Sequence, residues 1–468
     1  MHVFPHDSQQ RCAVLLTVLL VSVAGSRQAR AEQPAADPSA GKAAYDQFCA
    51  RCHGPSGRGD GLDAKRFYPR PRDFSLGEFK FRTTVIGTPP SDDDLFRSIT
   101  KGLPGSNMPD WPLLDERTRW QIVYYLKTLS PIFQQSQPQA ISVARDPGPK
   151  RANRAKGKAL YAKLGCGACH GTAGRANGTA AAGLTDDWGM KIRPANLTHG
   201  WAYRGGSEPE SIMWRFMAGI EGSGMPSYAE AGLTPEDAWH LAYYVQSLQE
   251  PPRWNMVARA TRLGGALPIA VDDPAWAAAE HTDVQTRNVV APSGEWTDPP
   301  TILKVGIDML ANDHDIAFRL TWDDPTEDRQ PPQDAIAIVF KPEGLEGDIV
   351  TLQAWPYDGA PTLDMCSWSA DTGAPAEELA ADFETIRSPR SPLRALAGGA
   401  ATYTDGRWRM VMQRPLAPAA PEGAAQFTAE HYTSLAVAVF DGGNPDARAV
   451  SYWIDLALQS TQQQHHEP

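Results

Sequence analysis

The sequence has 468 residues, enough for two to four domains, and its hydrophobic content of 42% is ordinary for a globular protein. A formal net charge of −11 argues against nucleic acid as a partner and fits a soluble chain with an acidic docking face. The 40 glycines and 40 prolines predict many turns and linkers between the folded parts.

The first 31 residues are typical of an export signal. A mildly basic start precedes an apolar run from Cys12 to Ala24, and Ala29-Arg30-Ala31 forms an A-x-A cleavage motif. The run is about a dozen residues, whereas roughly 20 are needed to span a bilayer, so a retained anchor is the weaker alternative. We therefore expect a signal peptide over residues 1–31, no membrane span in the mature chain and a periplasmic location.

A long internal repeat follows. CARCHG (49–54) recurs as CGACHG (166–171), and DLFRSITKGLPGSNMP (94–109) aligns without a gap with SIMWRFMAGIEGSGMP (211–226). Both pairs of segments have the same offset of 117 residues, which indicates a tandem duplication of one domain of about 100 residues. The predicted domains are residues 39–130 and 151–250, and residues 131–150 have the composition of a linker.

Each copy is predicted to be all-helical. GKAAYDQF (41–48) and GKALYAKL (157–164) carry apolar residues at helical spacing and lead directly into the cysteines. WQIVYYLKTL (120–129) and WHLAYYVQSL (239–248) place aromatic and aliphatic residues on one face of a later helix. The glycine- and proline-rich loops between these helices are expected to be neither helix nor strand.

The Cys-x-x-Cys-His motif at the end of a helix has the spacing of a covalent c-type haem attachment site. Its two sulfurs suit thioether bonds to the haem vinyl groups, and the following imidazole suits the iron. Alternatives are a zinc knuckle, a redox dithiol or a disulfide, but zinc would need two further ligands and no second cysteine pair lies nearby. The predicted attachment and iron-binding residues are Cys49, Cys52 and His53 in the first copy, and Cys166, Cys169 and His170 in the second.

A sixth iron ligand is expected from the repeated glycine-rich loops. Met108 and Met225 each follow the motif histidine by 55 residues and each precede a proline. A methionine thioether opposite histidine raises the reduction potential of iron and suits electron transfer. The alternative is that both methionines are core residues, although core methionines usually belong to a periodic face.

With these residues in place, residues 39–130 and 151–250 resemble class I cytochrome c domains, on the motifs above and on the loops GLPGSNMPDW and GIEGSGMPSY. The resemblance implies a small helical fold around haem. It also implies that a proline carbonyl accepts the histidine Nδ1–H, for which Pro71 and Pro194 are the matching positions. Arg70 and Arg193 would then face the haem propionates, the alternative being solvated loop arginines.

After residue 250 apolar and polar residues alternate along the chain, which predicts an all-β sandwich over about 190 residues. The predicted strand segments are 301–310, 315–324, 334–340, 407–416, 434–442 and 449–458. The phrases FRLTWDDPTED, PPQDAIAIVF and AVSYWIDLAL make residues 271–460 resemble the haem-b-binding gamma subunits of ethylbenzene- and dimethylsulfide-dehydrogenase molybdoenzymes.

That second resemblance implies haem b held by a methionine and a lysine, but the sequence departs at both positions. Arg448 stands where lysine is expected, and arginine cannot donate a lone pair to iron. Met365 is a nearby substitute for the methionine, although an in-strand methionine more often packs in a core. Cys366 is expected to be a small buried residue and not a ligand.

The sequence thus predicts a multidomain protein, two all-α cytochrome c domains with two covalent haem c groups and a C-terminal β-sandwich. The expected function is an exported electron carrier for a redox enzyme, a molybdopterin oxidoreductase with an iron–sulfur subunit. The alternatives are a peroxidase-like dihaem enzyme, which needs an open iron position, and an adaptor whose sandwich binds a non-redox partner or a glycan.

Overall fold

Helices occupy the first half of the protein and strands the second. A computed structural model describes residues 33–288, 301–341, 362–382, 393–417, 425, 427, 433–444 and 448–459, and from Ala36 onward the chain forms one contact unit. The predicted signal peptide, residues 1–31, lies outside the described residues. No helix in the described part is both long and apolar enough to cross a bilayer.

Nine α-helices lie in the described part of the chain. In chain order they are α1 Pro38–Phe48, α2 Ala50–His53, α3 Asp92–Lys101, α4 Glu116–Thr128, α5 Ile132–Gln135, α6 Arg154–Lys163, α7 Gly167–His170, α8 Pro209–Ala218 and α9 Pro235–Ser247. Four of them (α1 to α4) form the first domain and another four (α6 to α9) form the second, in the same order. The duplicated sequence therefore folds into two copies of one helical arrangement.

A glycine allows the first and last helices of each domain to cross closely. A Cβ at Gly41 in α1 would collide with the carbonyl oxygen of Gln121 in α4, and a Cβ at Gly157 in α6 would collide with that of His240 in α9. Both glycines belong to the repeated GKA segments. Their role is to bring two helical backbones together, because neither has a positive φ.

The predicted linker packs against both helical domains. It contains α5, Ala140 pairs with Thr84 of the first domain in an isolated β-bridge, and the Trp239 indole of the second domain donates a hydrogen bond to the Ala144 carbonyl at 2.8 Å. The composition predicted a linker over residues 131–150, and the structure shows that this connecting segment is fixed by backbone pairing and by an indole hydrogen bond.

Thirteen strands form one large sheet in the described part of the C-terminal domain (residues 251–459). They are β1 Val257–Arg262, β2 His281–Asn288, β3 Lys304–Ala311, β4 Asp315–Asp323, β5 Ala335–Phe340, β6 Leu363–Ser369, β7 Ala376–Ala380, β8 Arg394–Ala395, β9 Ala397–Thr404, β10 Arg407–Pro415, β11 Thr433–Phe440, β12 Arg448–Ser451 and β13 Ile454–Leu458. Their order is β8-β7-β6-β5-β11-β12-β2-β3-β4-β10-β9, with β1 paired to β13 and β3, and β13 also paired to β11.

The two halves of this sheet share one core. Trp322 of β4 packs edge-on against Trp368 of β6 at 6.2 Å and stacks on Trp408 of β10 at 6.1 Å between ring centroids. All three indoles are at most 1% exposed. Met365 and Cys366 are also buried, so the predicted burial of Cys366 is confirmed.

Candidate functional site

Each Cys-x-x-Cys-His motif forms a short helical turn directly after a long helix. The first cysteine of each motif precedes the turns α2 and α7. The Tyr45 hydroxyl donates to the Gly54 carbonyl at 2.8 Å, and the Tyr161 hydroxyl donates to the Gly171 carbonyl at 2.7 Å. Both glycines have a positive φ of about 79° and 78°, which ends the turn where another residue would be strained. The two motifs therefore have the same backbone and the same tyrosine support.

Each motif histidine has its Nδ1 atom bound to a backbone carbonyl. The distance is 3.1 Å from His53 to the Arg72 oxygen and 2.9 Å from His170 to the Ala195 oxygen. Donation from Nδ1 leaves Nε2 as the nitrogen available to a metal. The resemblance pointed to the carbonyls of Pro71 and Pro194, and both assignments are one residue too early. In each copy the carbonyl that accepts the histidine hydrogen bond belongs to the residue directly after the proline.

Burial shapes the ionisation of the motif side chains. It lowers the pKa of His53 and of His170, although the backbone hydrogen bonds act in the opposite direction, and this favours the neutral imidazole that binds metals. Burial raises the pKa of Cys49 to about 12 and also raises the pKa of Cys166. A catalytic dithiol needs a lowered thiol pKa, so these motifs do not have the electrostatics of a disulfide oxidoreductase.

The zinc and disulfide alternatives also fail on geometry. The four motif cysteines are not joined in disulfides. Within the described residues, the group of His, Cys, Asp or Glu side chains whose ligand atoms converge lies in the C-terminal domain and not at either motif. A structural zinc site needs four converging ligands. Neither motif therefore gathers the ligands of a zinc site within the described residues.

The loop around Met108 has a defined hydrogen-bond pattern. The Met108 carbonyl accepts a hydrogen bond from the Leu103 amide at 3.0 Å, and the Met108 amide donates to the Ser106 hydroxyl oxygen at 3.2 Å. Ser106 in turn donates to the Leu103 carbonyl at 2.7 Å. Gly102, with φ of 61°, ends α3 and lies so close to Pro109 that no side chain would fit. These bonds hold Met108 at a fixed place in the loop.

The loop around Met225 repeats this pattern. The Ile220 amide donates to the Met225 carbonyl at 3.0 Å, and the Met225 amide donates to the Ser223 hydroxyl oxygen at 3.4 Å. Ser223 donates to the Ile220 carbonyl at 2.7 Å. The serines were not singled out in the sequence, although each lies two residues before its methionine in the aligned segments. The two Met loops (residues 102–111 and 219–228) thus have one conformation.

A cavity of about 400 Å³ lies between the motif and the Met loop of the second domain. Its lining includes Cys166, Cys169, His170, Pro194 and Met225, so it brings together most of the residues predicted for that domain. The donor set suits haem, since two thiols, an imidazole and a thioether line one mainly apolar space. Residues of the other two domains also line it, namely Tyr68, Lys80, Phe81 and Gly105 of the first, and Thr301, Leu303, Asp323 and Pro325 of the C-terminal domain.

The two predicted propionate arginines differ in their surroundings. Arg193 lines the cavity and lies 3.8 Å from Asp441 of the C-terminal domain. Arg70 is half-buried in the first domain. The neighbouring Arg72 was not predicted as a site residue; its guanidinium lies 3.8 Å from the Trp188 ring centroid, and burial lowers its pKa to about 10. Arg72 therefore links the backbone segment that supports His53 to the second domain.

Each Met loop also contacts the other helical domain. Glu221 accepts a hydrogen bond from the Phe79 amide at 3.0 Å and from the Gly87 amide at 3.1 Å, and it forms an ion pair with the fully buried Arg82. The reverse contact is made by Gly105, where a side chain would collide with the Ala202 carbonyl. Glu221 aligns with Pro104 in the duplication. An acidic residue in one copy where the other has proline is the sequence feature that could have indicated this contact.

The second domain is joined to the C-terminal domain through Asp323. Its carboxylate lies 3.0 Å from His199 Nε2 and accepts hydrogen bonds from Asn196 at 2.9 Å and from Arg407 at 2.6 Å, with Arg175 at 3.4 Å. Burial alone would raise the pKa of Asp323, but the His199 hydrogen bond and the Arg407 charge hold it well below its usual range. A charged Asp323 is therefore a fixed anchor between two domains.

Two family models match the helical half of the chain. The Cytochrome c model matches residues 154–249, and the model for subunit III of cbb3-type cytochrome C oxidase matches residues 36–126. A chain of the reducing HAO-like protein complex of Kuenenia stuttgartiensis is 39% identical, with all of that chain and 47% of this one covered and a TM-score of 0.44. The helical half of the chain therefore contains two cytochrome c domains. Such domains imply covalently bound haem c, and their number is consistent with two haems.

Other comparisons with this chain are weak. A family 9 carbohydrate-binding module from Caldicellulosiruptor kristjanssonii, solved with glucose, is 10% identical over 45% of this chain and all of that chain, with a TM-score of 0.29. The same module solved with cellotriose is 9% identical over 45% of this chain and 98% of that chain, with a TM-score of 0.27. Such low scores establish no shared fold. No protein with a curated description matches the chain.

Proposed function

We propose that this protein is an exported dihaem electron carrier whose C-terminal domain docks to a redox enzyme, a molybdenum oxidoreductase with an iron–sulfur subunit. The cysteines and histidines of residues 49–53 and 166–170 hold the two haems, and Met108 and Met225 supply the sixth ligands. The observation that carries the proposal is the matched pair of Met loops, each with the same internal hydrogen bonds. Haem iron with histidine and methionine supplies reversible one-electron transfer.

The contacts of the Met loops favour electron transfer over catalysis at an open iron. A peroxidase-like reaction needs a free iron position beside acid–base groups. Glu221 holds the second loop through a buried ion pair and two backbone amides, and Gly105 holds the first against a backbone carbonyl. Moving either methionine away would break an interface between domains.

The arrangement of the domains supports exchange of electrons between the two haem sites. Tyr68, Lys80, Phe81 and Gly105 belong to the first domain, yet they line the cavity of the second. Gly105 lies three residues before Met108, so the edge of one predicted site borders the other. Apolar and aromatic groups at this border exclude water and so limit the solvent reorganisation that accompanies electron transfer.

The docking role of the C-terminal domain rests on its resemblance to gamma subunits of molybdoenzymes. Its haem b is not part of the proposal, because Arg448 cannot ligate iron and Met365 is buried at 1% exposure between neighbouring strands. The export signal and the periplasmic location belong to the proposal as expectations from residues 1–31.

Carbon monoxide binding tests the closed iron sites in the full-length reduced protein. We expect almost no binding in the wild type, binding at one haem in Met108→Ala or Met225→Ala, and a lower reduction potential at the altered site because the thioether favours ferrous iron. Glu221→Gln is expected to allow carbon monoxide binding only at the second haem. Glu230→Gln, at an exposed position of the same domain, is the control and should behave as the wild type. Carbon monoxide binding at both haems of the wild type would contradict the proposal and favour an enzyme.

A further inference from the structure

Three buried aspartates converge at one end of the C-terminal domain. Asp324 follows β4, Asp334 precedes β5 and Asp441 follows β11, so three strand ends supply one carboxylate each. One oxygen of each lies within 4.8 Å of the others, and the three residues are 0%, 0% and 1% exposed. Their charges are thus brought together away from water, which is unfavourable unless a cation or a set of donors compensates.

The surrounding donors compensate only one of the three carboxylates well. Asp334 accepts hydrogen bonds from the amides of Gly442 at 2.8 Å and Asp328 at 2.9 Å, and from the Trp408 indole at 2.9 Å. These three donors satisfy both of its oxygens. The other two carboxylates each have one buried oxygen, Asp324 Oδ2 and Asp441 Oδ2, that has no hydrogen-bond partner.

Asp324 has the clearest deficit. Its Oδ1 accepts from the Thr326 amide at 3.1 Å and from the Thr326 hydroxyl at 3.4 Å, whereas its buried Oδ2 has no hydrogen-bond partner. The same hydroxyl lies 3.4 Å from Asp441 Oδ1, so its single proton can serve only one of the two carboxylates at a time, and Thr301 and the Gly443 amide also bond to Asp441. The Arg193 guanidinium lies 3.8 Å from Asp441 Oδ2, which is too long for a hydrogen bond.

A glycine leaves space beside these oxygens. A Cβ at Gly443 would lie 2.7 Å from the Thr326 hydroxyl oxygen, 3.2 Å from Asp328 Oδ2 and 3.2 Å from Asp441 Oδ1. Asp328 Oδ2 is itself buried without a hydrogen-bond partner. Gly443 does not have a positive φ, so its absence of a side chain serves to keep this oxygen-lined space open.

We propose that Asp324, Asp334 and Asp441 bind a calcium ion. The donors are all oxygens, which excludes the nitrogen and sulfur preferences of zinc and copper. One oxygen of each carboxylate lies within 4.8 Å of the other two, a spacing that one calcium ion can bridge with calcium–oxygen distances of about 2.3–2.6 Å. Magnesium usually keeps several waters and is seldom held by an all-protein cage, so these buried carboxylates favour calcium. The ion would join the ends of three strands next to Asp323, the anchor of the second domain.

Metal analysis and calorimetry of the full-length holoprotein test this site. After dialysis against calcium-free buffer, we expect one calcium per chain in addition to haem iron, and its removal by chelator should lower the thermal midpoint. Titration of calcium chloride into the chelated protein should restore it, and magnesium chloride should not. Asp441→Asn should weaken calcium binding at least about tenfold, since affinity depends on the number of ligand charges.

Two further variants keep the test decisive. Gly443→Ala fills the oxygen-lined space without removing a charge, so it should weaken binding even if Asp441→Asn fails to fold. Asp313→Asn, at an exposed aspartate of the same domain that pairs with Arg262, should bind calcium as the wild type does. A wild-type protein that retains no calcium and gives no heat with calcium chloride would overturn the proposal. Preferential binding of magnesium would overturn the assignment of the ion.

Discussion

Tyr45 and Tyr161 make the same hydrogen bond in the two cytochrome c domains, and Met108 and Met225 lie in loops with the same internal bonds. The surroundings of the two domains nevertheless differ. The cavity of the second domain is lined by residues of all three domains, and Asp323 anchors this domain to the sheet. The comparison indicates that duplication kept the bonds next to the predicted haem ligands, while divergence made the second domain the centre of the assembly.

Removal of the Asp323 carboxylate should give the largest loss of stability. Asp323→Ala leaves Arg407 and Arg175 without one of their buried partners and removes the carboxylate beside His199, so we expect a loss of about 3–5 kcal/mol in the free energy of unfolding. Denaturant unfolding followed by fluorescence measures it. The first domain's haem spectrum should be unaffected, since the described partners of Asp323 belong to the second and C-terminal domains.

Asp313→Ala is the matched control. This carboxylate is 80% exposed in an ion pair with Arg262, and exposed pairs contribute about 0–1 kcal/mol. Equal effects of the two substitutions would show that Asp323 is not an anchor, and the distinction between the two cytochrome domains would lose its structural basis.

Protonation of His281 should make the stability of the C-terminal domain depend on pH. His281 Nδ1 lies 2.7 Å from Asp308 and Nε2 lies 3.3 Å from Asp283, and hydrogen bonds to these two carboxylates raise its pKa from 6.5 to about 9. Lys304 and Arg319 pair with the same carboxylates. Because the folded-state pKa is raised, the stabilisation is fully present below about pH 6.5 and is lost as the pH rises towards 9.

We expect this stabilisation to be about 1–2 kcal/mol after allowance for the partial exposure of the ring. The measurement is the free energy of unfolding between pH 6 and 10, with His281→Gln as the variant that should lack the His281 contribution to the slope. His314→Gln, at an exposed histidine of the same domain, should keep the wild-type slope. A wild-type slope in His281→Gln would contradict the assignment.

The smallest effects should come from the serines of the Met loops, and they should be equal. Ser106→Ala and Ser223→Ala each remove one hydroxyl that donates to a carbonyl and accepts from a methionine amide, at a cost of about 0.5–1.5 kcal/mol. Reduction potentials and the methionine–iron absorption band would report the loosening of each loop. Clearly unequal shifts would show that the loops differ in function despite their shared geometry.

The sequence predicts what lies within one domain better than what lies between domains. The offset of 117 residues predicted the repeated Met loops, because the hydrogen bonds within a loop depend on residues close together in sequence. The carbonyl that supports each histidine was misplaced by one residue, since a backbone acceptor has no side-chain signature. Arg82 and Glu221 are 139 residues apart, and no periodic pattern links residues at that separation.

The strands of the C-terminal sheet were also predicted only in part. The alternating apolar segments at 315–324 and 407–416 correspond to β4 and β10, which have buried faces. The strand β9 was missed, because Ala397–Thr404 is largely exposed and contains two glycines. The predicted segment 449–458 divides into β12 and β13, with Tyr452 and Trp453 between them.

The number of covalent haems tests the central claim most directly. Intact-mass measurement of the denatured full-length chain should show two haems, one after Cys49→Ser with Cys52→Ser, one after Cys166→Ser with Cys169→Ser, and none when all four changes are combined. The two double variants should lose different reduction potentials, because the second site is bordered by all three domains. A wild-type chain with fewer than two haems, covalent haem in the fourfold variant, or zinc in place of iron would contradict the account.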